Sequence, residues 1–407
     1  MKSIGIIGSG IAGLQLALML QRQGLEVTLY SDRTPDQIRE GRLSSLVVRF
    51  DHTRERERAL DVDHWDFPDF GVHGVHMHIG VEPAIVWKGA LNRQASAVDM
   101  RLYQSTLLED FSNRGGDVVV GNFQAADVSR LSEKHQLMVV AAGKAGLTEL
   151  FPTDPEKSPY SQPQRLITGA FYKGLRIPDP ISVLYNIAPG HGEIFLMPFT
   201  TFGGRVCSIL IEAIPGGALA PIASMRYEDD PETFNATVLD LVRQHAPPIY
   251  ELIDPDEFGI NRPQDIVQGA ITPTVRRGYT ALGAGKYALA LGDMHIVNDP
   301  VLGQGANTAS KCAWVLGKAL LENEVFDEDF CRRTEQKLWE AAQAVTEWTN
   351  MTLQPPPPHA VQLFIAAAQN RELANELADN FNQPEKNWEI FRSPEGAAAF
   401  LARHGAY

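Results

Sequence analysis

Three glycines near the start of the chain have the spacing of a dinucleotide-binding turn. Gly8, Gly10 and Gly13 follow a short apolar run in the order GxGxxG. The first glycine suits a tight turn, the second lets backbone N–H groups approach a diphosphate, and the third lets the next helix pack closely on the strand. The pattern therefore predicts that Gly8, Gly10, Ile11, Ala12 and Gly13 bind phosphates at the helix N-terminus.

The end of the next apolar run departs from the usual pattern of such sites. An acidic residue normally closes the second strand and holds the ribose 2′-hydroxyl, but here the run ends Tyr30, Ser31, Asp32. Ser31 takes the position of the acid. Asp32 is then the candidate for the ribose contact, and the alternative is an ordinary solvated turn residue.

A second segment, at residues 292–307, also combines glycines with one carboxylate. A strand runs into Gly292 and Asp293, an irregular loop follows, and a long helix is predicted from about Ala306. One long cofactor explains both segments: FAD would place its diphosphate on the first helix and a ribityl hydroxyl on Asp293, with its ring beside the loop. The alternative for Asp293 is a plain strand-end turn. The predicted contacts here are Asp293, Pro300, Gly303, Gly305, Ala306 and Asn307.

The elements that position these residues read as an α/β protein. The first glycines lie between two strand-like runs with a helix-period segment between them, and residues 137–143 and 287–293 are further buried strands. Residues 152–270 instead show separated β-type runs and a helix near Pro231 to His245. We predict a Rossmann-type FAD-binding domain, an inserted, mostly antiparallel substrate domain, and a helical C-terminal region.

These elements give explicit domain boundaries. The FAD-binding domain is predicted at residues 1–50, 97–150 and 285–330, the substrate domain at 51–96 and 151–284, and the helical region at 331–407.

The composition limits the partners and the compartment. The 407 residues exceed one compact core, and 36 basic against 50 acidic residues give a net charge of −14, which argues against nucleic acid or an anionic membrane surface as partner. Three cysteines without a CxxC motif suit a reducing cytoplasm, and the sequence shows neither a signal peptide nor a long apolar span. His76 and His78 would share one strand face, but no carboxylate or cysteine stands at ligand spacing, so no metal site is predicted.

Several motifs resemble a known family. GIIGSGIAG, VVAAG (139–143) and LGD…DPVLGQGAN resemble the glutathione-reductase-type FAD domain of flavoprotein aromatic hydroxylases. Nearly the whole chain is similar to the styrene and indole monooxygenases. The motifs that carry the closer similarity are ALDV-x-x-W (59–65), AVD-x-RLYQ (97–104), PGHGE (189–193), DPVLGQGAN (299–307) and EWTN (347–350).

The resemblance implies an FAD-dependent epoxidase, the oxygenase component of a two-component system. Such an enzyme takes reduced FAD from a separate NADH:flavin reductase, reacts it with O₂ and transfers oxygen from a C4a-hydroperoxide to a small apolar aromatic substrate. The sequence itself supports a separate reductase. Single-component hydroxylases carry, after their central strand, an Asp-Gly element that serves both FAD and NAD(P)H, whereas here VVAAG runs into Lys144-Ala145. Whether the protein forms a homodimer is left open.

The resemblance also implies pocket residues. Ser45 lies where styrene-preferring members have asparagine and indole-preferring members have serine, and Ser45, Pro300 and Gly303 form the implied catalytic set. Val47, Arg49, Val72, Val75 and Ala95 fall at further pocket positions. Val72, Val75 and Ala95 are of the indole type, whereas Arg49 matches neither type. The alternative for the small apolar residues is ordinary core packing.

Two arginines are candidate cofactor ligands. Arg42 and Arg101 would contact FAD, and the alternative for both is an ion pair within the protein.

The predicted function is epoxidation of the 2,3 double bond of indole and, less readily, of styrene-like alkenes. A styrene monooxygenase is the first alternative. An FAD dehydrogenase or oxidase would need a base near the flavin, and the loop at 299–307 offers Asp299 alone. A nucleotide-stabilised interaction protein would form no oxygenated product.

Overall fold

The computed structural model describes residues 2–66, 71–143 and 145–406 of the chain. In chain order, its strands are β1 (Ser3–Ile7), β2 (Glu26–Ser31), β3 (Val48–Arg49), β4 (Val72–Ile79), β5 (Ile85–Ala97), β6 (Asp117–Val120), β7 (Leu137–Val140), β8 (Leu166–Lys173), β9 (Ser182–Ala188), β10 (Gly192–Thr201), β11 (Gly204–Ala213), β12 (Gly259–Ile260), β13 (Ile266–Ala270), β14 (Thr274–Val275), β15 (Tyr279–Gly283), β16 (Lys286–Ala290) and β17 (Ile296–Val297).

The helices follow the same order. They are α1 (Ile11–Arg22), α2 (Pro35–Arg39), α3 (Asp51–Ala59), α4 (Met100–Asn113), α5 (Ala125–Ser132), α6 (Ala145–Thr148), α7 (Pro231–His245), α8 (Pro247–Tyr250), α9 (Gly305–Glu322), α10 (Glu328–Thr352), α11 (Pro358–Gln369), α12 (Arg371–Asp379), α13 (Pro384–Phe391) and α14 (Pro394–Arg403).

The first sheet carries the glycine turn. Its strand order is β15-β16-β7-β1-β2-β6, with parallel pairing throughout except between β15 and β16. Ile6, Leu29 and Val139 are fully buried in adjacent strands because helices cover both faces of such a sheet. The strand ends after Ile7 and Val140 therefore meet at one edge, where open α/β sheets bind ligands.

The second sheet lies beside that edge. Its main strand order is β12-β8-β11-β10-β9-β4-β5-β3, and β13 also pairs with β8. Its pairings are antiparallel except for that between β4 and β9. One hydrophobic cluster joins strands β8, β10 and β11 to α7, and another joins β4 and β5 to the C-terminal helices α10–α14.

The predicted fold class is confirmed: a parallel nucleotide-binding sheet, a mostly antiparallel sheet and a helical C-terminal region are all present. The exact domain boundaries stay a prediction. Strand β3, within the range 1–50, pairs with β5, and strand β15, within the range 151–284, pairs with β16 of the first sheet. Within the described residues, no helix has both the length and the apolar character to cross a lipid bilayer.

Candidate active site

A cavity of about 430 Å³ lies at the edge of the first sheet where β1, β2 and β7 end. Its walls also include the segment 44–47, the turn at Gly292 and Asp293, and the loop that leads into α9. Ile167, Leu210 and other apolar side chains of the second sheet close the far side. We call it the cofactor cavity.

The glycine turn at one end of the cofactor cavity has the predicted geometry. Gly8 has a φ of +117°, and a Cβ on Gly13 would lie 1.9 Å from the carbonyl oxygen of Gly8. These two glycines let the turn close and α1 pack against it. A Cβ on Gly10 would meet no described atom within 4 Å, because Gly10 borders the open cavity. A diphosphate can therefore approach the backbone N–H groups at the start of α1.

The end of β2 places Asp32, rather than Ser31, beside the cofactor cavity. The Ser31 hydroxyl is fully buried, lies 2.8 Å from the Ser9 hydroxyl and donates to the Arg33 carbonyl at 2.7 Å. Asp32 and Arg33 both line the cavity. The ribose contact of Asp32 stays a prediction, now with its carboxylate at the cavity wall.

Asp293 also lines the cofactor cavity, on a single 3₁₀ turn at Gly292–Met294. Its side chain is reached from the cavity, and the surrounding walls raise the pKa of its carboxyl group, an effect that Arg276 opposes. Arg276 also donates to the Asp293 carbonyl oxygen at 3.1 Å. Asp293 is thus placed to accept a hydrogen bond from a ligand hydroxyl.

The loop between β17 and α9 forms another wall of the cofactor cavity. It contains a 3₁₀ turn at Pro300–Leu302, in which the Asp299 carboxylate accepts from the Val301 N–H at 3.2 Å, and it ends at Gly303 with φ +63°. Helix α9 then begins at Gly305, one residue before the predicted start. Gly305 and Ala306 line the cavity, so the positive end of the α9 dipole faces any ligand there.

Asn307 braces this loop and lies outside the cofactor-cavity wall. Its side-chain NH₂ donates to the carbonyls of Val48 at 2.9 Å and Gly303 at 3.2 Å, while its oxygen accepts from the Phe50 N–H at 3.0 Å and the Thr53 hydroxyl at 2.8 Å. The side chain therefore fixes Gly303 relative to β3.

A buried acidic cluster supports the same loop from behind. Arg165 pairs with both carboxylate oxygens of Glu193, at 2.7 and 2.9 Å, and Glu212 and Asp299 are fully or almost fully buried nearby. Burial raises the pKa of Asp299 to about 6 and that of Glu212 well above its usual range, and the negative charge of Glu193 adds to both shifts.

Most of the predicted cofactor ligands meet at this cavity. The predicted residues that line it are Gly8, Gly10, Ile11, Ala12, Asp32, Ser45, Val47, Asp293, Pro300, Gly303, Gly305 and Ala306. Those that do not line it are Gly13, Arg42, Arg49, Val72, Val75, Ala95, Arg101 and Asn307.

The three predicted arginines form ion pairs within the protein. Arg42 is exposed and pairs with Glu228. Arg101 is buried between Asp99 at 2.6 Å and Asp265 at 2.7 Å, so it links α4 to the segment before β13. Both arginines therefore form the ion pairs stated as the alternative, and their contact with FAD stays a prediction.

Arg49 belongs to a buried polar network beneath the cavity. It forms an ion pair with Glu57 and donates to the Ser96 hydroxyl at 3.1 Å, and Tyr103 donates to Glu57 at 2.8 Å. The Arg49 guanidinium is fully buried and does not line the cofactor cavity, although its Nε has no hydrogen-bond partner among the described residues. It positions β3 and α3, which flank the cavity.

Val72, Val75 and Ala95 are core residues of the second sheet. Val72 pairs with Ala95 across β4 and β5, and all three side chains are at most 4 % exposed within one hydrophobic cluster. Their influence on a ligand in the cofactor cavity would have to pass through the backbone of β4 and β5.

Sequence reasoning missed two groups of wall residues. Ala141, Ala142 and Gly143 follow β7 directly, and their position at the carboxyl end of a central parallel strand could have predicted them. Leu210 and Val267 come from strands of the second sheet and gave no local signal, because each lies next to other apolar residues, such as Ile209, Ile211 and Ile266, from which its type does not distinguish it. The predicted lack of an Asp-Gly element rests partly on Lys144, which lies outside the described residues.

The residues present fit FAD. Two helix N-termini face one continuous cavity, with one carboxylate beside each, and an open glycine allows backbone approach at the first. That arrangement matches a long ligand with a diphosphate at one end and an electron-accepting ring at the other.

Comparison with known proteins agrees with this reading. Residues 143–251 match the family model described as the styrene monooxygenase A putative substrate binding domain. The styrene monooxygenases StyA of Pseudomonas fluorescens and of a Pseudomonas species are each 38% identical over 97% of this chain and 96% of their own. A triple mutant of the flavin-dependent brominase Bmp2 has the same fold, with a TM-score of 0.66 at 13% identity over 99% of both chains. The chain therefore belongs to the styrene monooxygenase family: it is an FAD-dependent monooxygenase of the two-component type, the oxygenase component, with O₂ as cosubstrate.

Proposed function

We propose that this protein epoxidises the 2,3 double bond of indole and, less readily, styrene-like alkenes. The observation that carries the proposal is the cofactor cavity, in which the α9 N-terminus faces an apolar wall that includes Val47, Leu210 and Ile271. When bound, reduced FAD supplies the electrons with which O₂ is activated. One oxygen atom enters the substrate, the other leaves as water, and the flavin returns to its oxidised form.

Each wall of the cavity has a distinct task. The N–H groups of α1 and the carboxylates of Asp32 and Asp293 would hold the cofactor, and the α9 N-terminus would favour the negative charge of the reduced ring. Pro300 and Gly303 would contact the ring from the loop before α9, and Ser45 would offer it a hydroxyl, since all three line the cofactor cavity. The apolar wall excludes water, which protects the activated oxygen from wasteful release as hydrogen peroxide.

Reduced FAD comes from a separate NADH:flavin reductase in this proposal. Membership of the styrene monooxygenase family supports that arrangement, as does the glycine-to-lysine sequence after VVAAG. The substrate is a small, neutral aromatic molecule, since an apolar wall of this kind gives a charged ligand no partner.

Styrene is the second candidate substrate, because both curated relatives are named styrene monooxygenases. A competition experiment that compares kcat/KM for indole and for styrene shows which of the two is the preferred substrate. Ser45 beside the ring supports indole, and we expect a kcat/KM for indole roughly ten- to two-hundredfold above that for styrene. We expect Ser45→Asn to narrow that ratio. A wild-type preference for styrene would replace indole by styrene as the natural class.

A further inference from the structure

A second cavity, of about 350 Å³, lies between the second sheet and the C-terminal helices. Six aromatic side chains are among those that line it: Trp87, Tyr185, Trp348, Phe364, Phe381 and Phe391. We call it the aromatic cavity. Its volume lies within the range of small-molecule binding sites, which are typically a few hundred Å³ and mostly apolar.

The charged groups at the aromatic cavity neutralise one another. Arg165 and Glu193 both line it, and they form a two-point ion pair at 2.7 and 2.9 Å. Arg165 also donates to the Leu353 carbonyl at 3.4 Å. A charged ligand would have to break this pair in a dry environment, which is costly, so the cavity suits a neutral apolar ligand.

The two cavities meet at one short loop. Leu302 lines the aromatic cavity, while Pro300 and Gly303 line the cofactor cavity. A molecule in the aromatic cavity is therefore separated from the flavin site by the thickness of this 3₁₀ turn. The aromatic cavity therefore shares the loop at 300–303 as a wall with the cofactor cavity.

The aromatic cavity also has an approach from solvent. Its rim includes Gln354, Pro355 and Pro356, which are exposed, in the segment between α10 and α11. The prolines keep this segment out of helix and leave a gap between the two helices. A poorly soluble aromatic molecule would meet this rim before it met the enclosed loop.

We propose that the aromatic cavity is a second binding site for the neutral aromatic substrate, where the molecule is held next to the loop at 300–303 before it reaches the flavin. This proposal rests on the proposed function for the identity of the ligand. It adds a site distinct from the apolar wall of the cofactor cavity, made from residues of β4, β9 and helices α10 to α13.

The test fills the cavity from α11. Val361 lines the aromatic cavity, and Val361→Trp would occupy its space, whereas Ile365 on the same helix is 43 % exposed and lies outside the wall. Indole is titrated calorimetrically into wild type, Val361→Trp and Ile365→Trp, each saturated with oxidised FAD so that the cofactor cavity is occupied. We expect Val361→Trp to lose one equivalent of bound indole, or to bind it at least about tenfold more weakly, while Ile365→Trp behaves as wild type.

Two further measurements distinguish a filled cavity from a misfolded variant, and a third outcome separates indole binding from indole oxygenation. Unchanged FAD affinity in Val361→Trp shows that the chain is folded, and Phe364→Ala, which enlarges the cavity, should bind 2-vinylnaphthalene more tightly than wild type does. Equal indole stoichiometry and affinity in wild type and Val361→Trp would overturn the proposal. If Val361→Trp loses its indole but wild type forms no oxygenated product from reduced FAD, the proposed function fails and the binding site stands.

Discussion

Asp293 is the side chain that we propose as the ribityl ligand of FAD. It lines the cofactor cavity directly after Gly292, which lies beside Ala12 at the start of α1. Asp293→Ala removes a charge-assisted hydrogen bond worth about 1.5–3 kcal/mol, so FAD affinity should fall roughly ten- to a hundredfold in a fluorescence titration. Asp329→Ala, on the exposed start of α10, is the matched control and should leave affinity unchanged. Equal affinities for both variants would place the ribityl chain elsewhere.

Asp299 makes stability depend on pH. Burial raises its pKa from 3.8 to about 6, so the folded state holds the proton more tightly than the unfolded chain does. The protonated carboxyl favours folding below about pH 4, and this contribution is lost as pH rises to about 6. The charged and titratable groups around it are Glu193, Glu212, Arg165 and Tyr185.

Asp299→Asn keeps a cap for the Val301 N–H but cannot ionise. We therefore expect the unfolding free energy of Asp299→Asn, relative to wild type, to increase by on the order of 2–3 kcal/mol between about pH 4 and pH 6 and then to stay level. Melting temperatures of the two proteins, measured across this pH range, report the difference. Glu328→Gln, at the exposed N-terminus of α10, is the control. A difference from wild type that is the same at pH 4 and pH 7 would show that Asp299 does not titrate in this range.

At the scale of elements, helix α9 is expected to discriminate between the redox states of the flavin. Its first residues, Gly305 and Ala306, border the cofactor cavity, and the reduced ring is anionic. Reduced FAD should therefore bind more tightly than oxidised FAD. Ala306→Asp, which adds a negative charge at this end, should lower that preference by about three- to thirtyfold, whereas the neutral Ala306→Asn, of nearly the same shape, should change it far less. Equal affinities of the wild type for both redox states would contradict this role of the helix.

The elements that could be predicted from sequence are those with a local signature. The glycine turn, the helix at Pro231–His245 and the loop leading into α9 were each marked by glycine, proline or helical periodicity, and the structure has them within about a residue. Burial of Arg49 and Arg101 could not be foreseen, because it depends on partners from distant elements, Glu57 on α3 and Asp265 before β13.

The aromatic cavity had no sequence signature for the same reason. Its walls come from strands β4, β5 and β9 and from four C-terminal helices, and each contributes side chains that read as ordinary core residues. The sequence predicted that the proline run at 355–358 interrupts the C-terminal helices, but it did not predict that this segment lies at the rim of a cavity. Sequence patterns predict elements well, whereas a space between elements depends on how these pack.

At the scale of the whole molecule, the proposal that a separate NADH:flavin reductase supplies the reduced FAD can be tested directly. Because we propose that a separate reductase supplies reduced FAD, the isolated protein with oxidised FAD should not oxidise NADH or NADPH at a meaningful rate, with or without indole. Stopped-flow absorbance of the flavin monitors this. Rapid bleaching of bound FAD by NADH alone would mean that this chain carries its own nicotinamide site.

The most direct test of the central claim supplies the purified protein with chemically reduced FAD, indole or styrene, and ¹⁸O₂ in the absence of any reductase. We expect styrene to give an epoxide that carries one ¹⁸O atom, and indole to give indigo, in which each of the two coupled indole units has received its oxygen from ¹⁸O₂. Reoxidation of the flavin with hydrogen peroxide as its sole oxygen product, and with both substrates recovered unchanged, would contradict it.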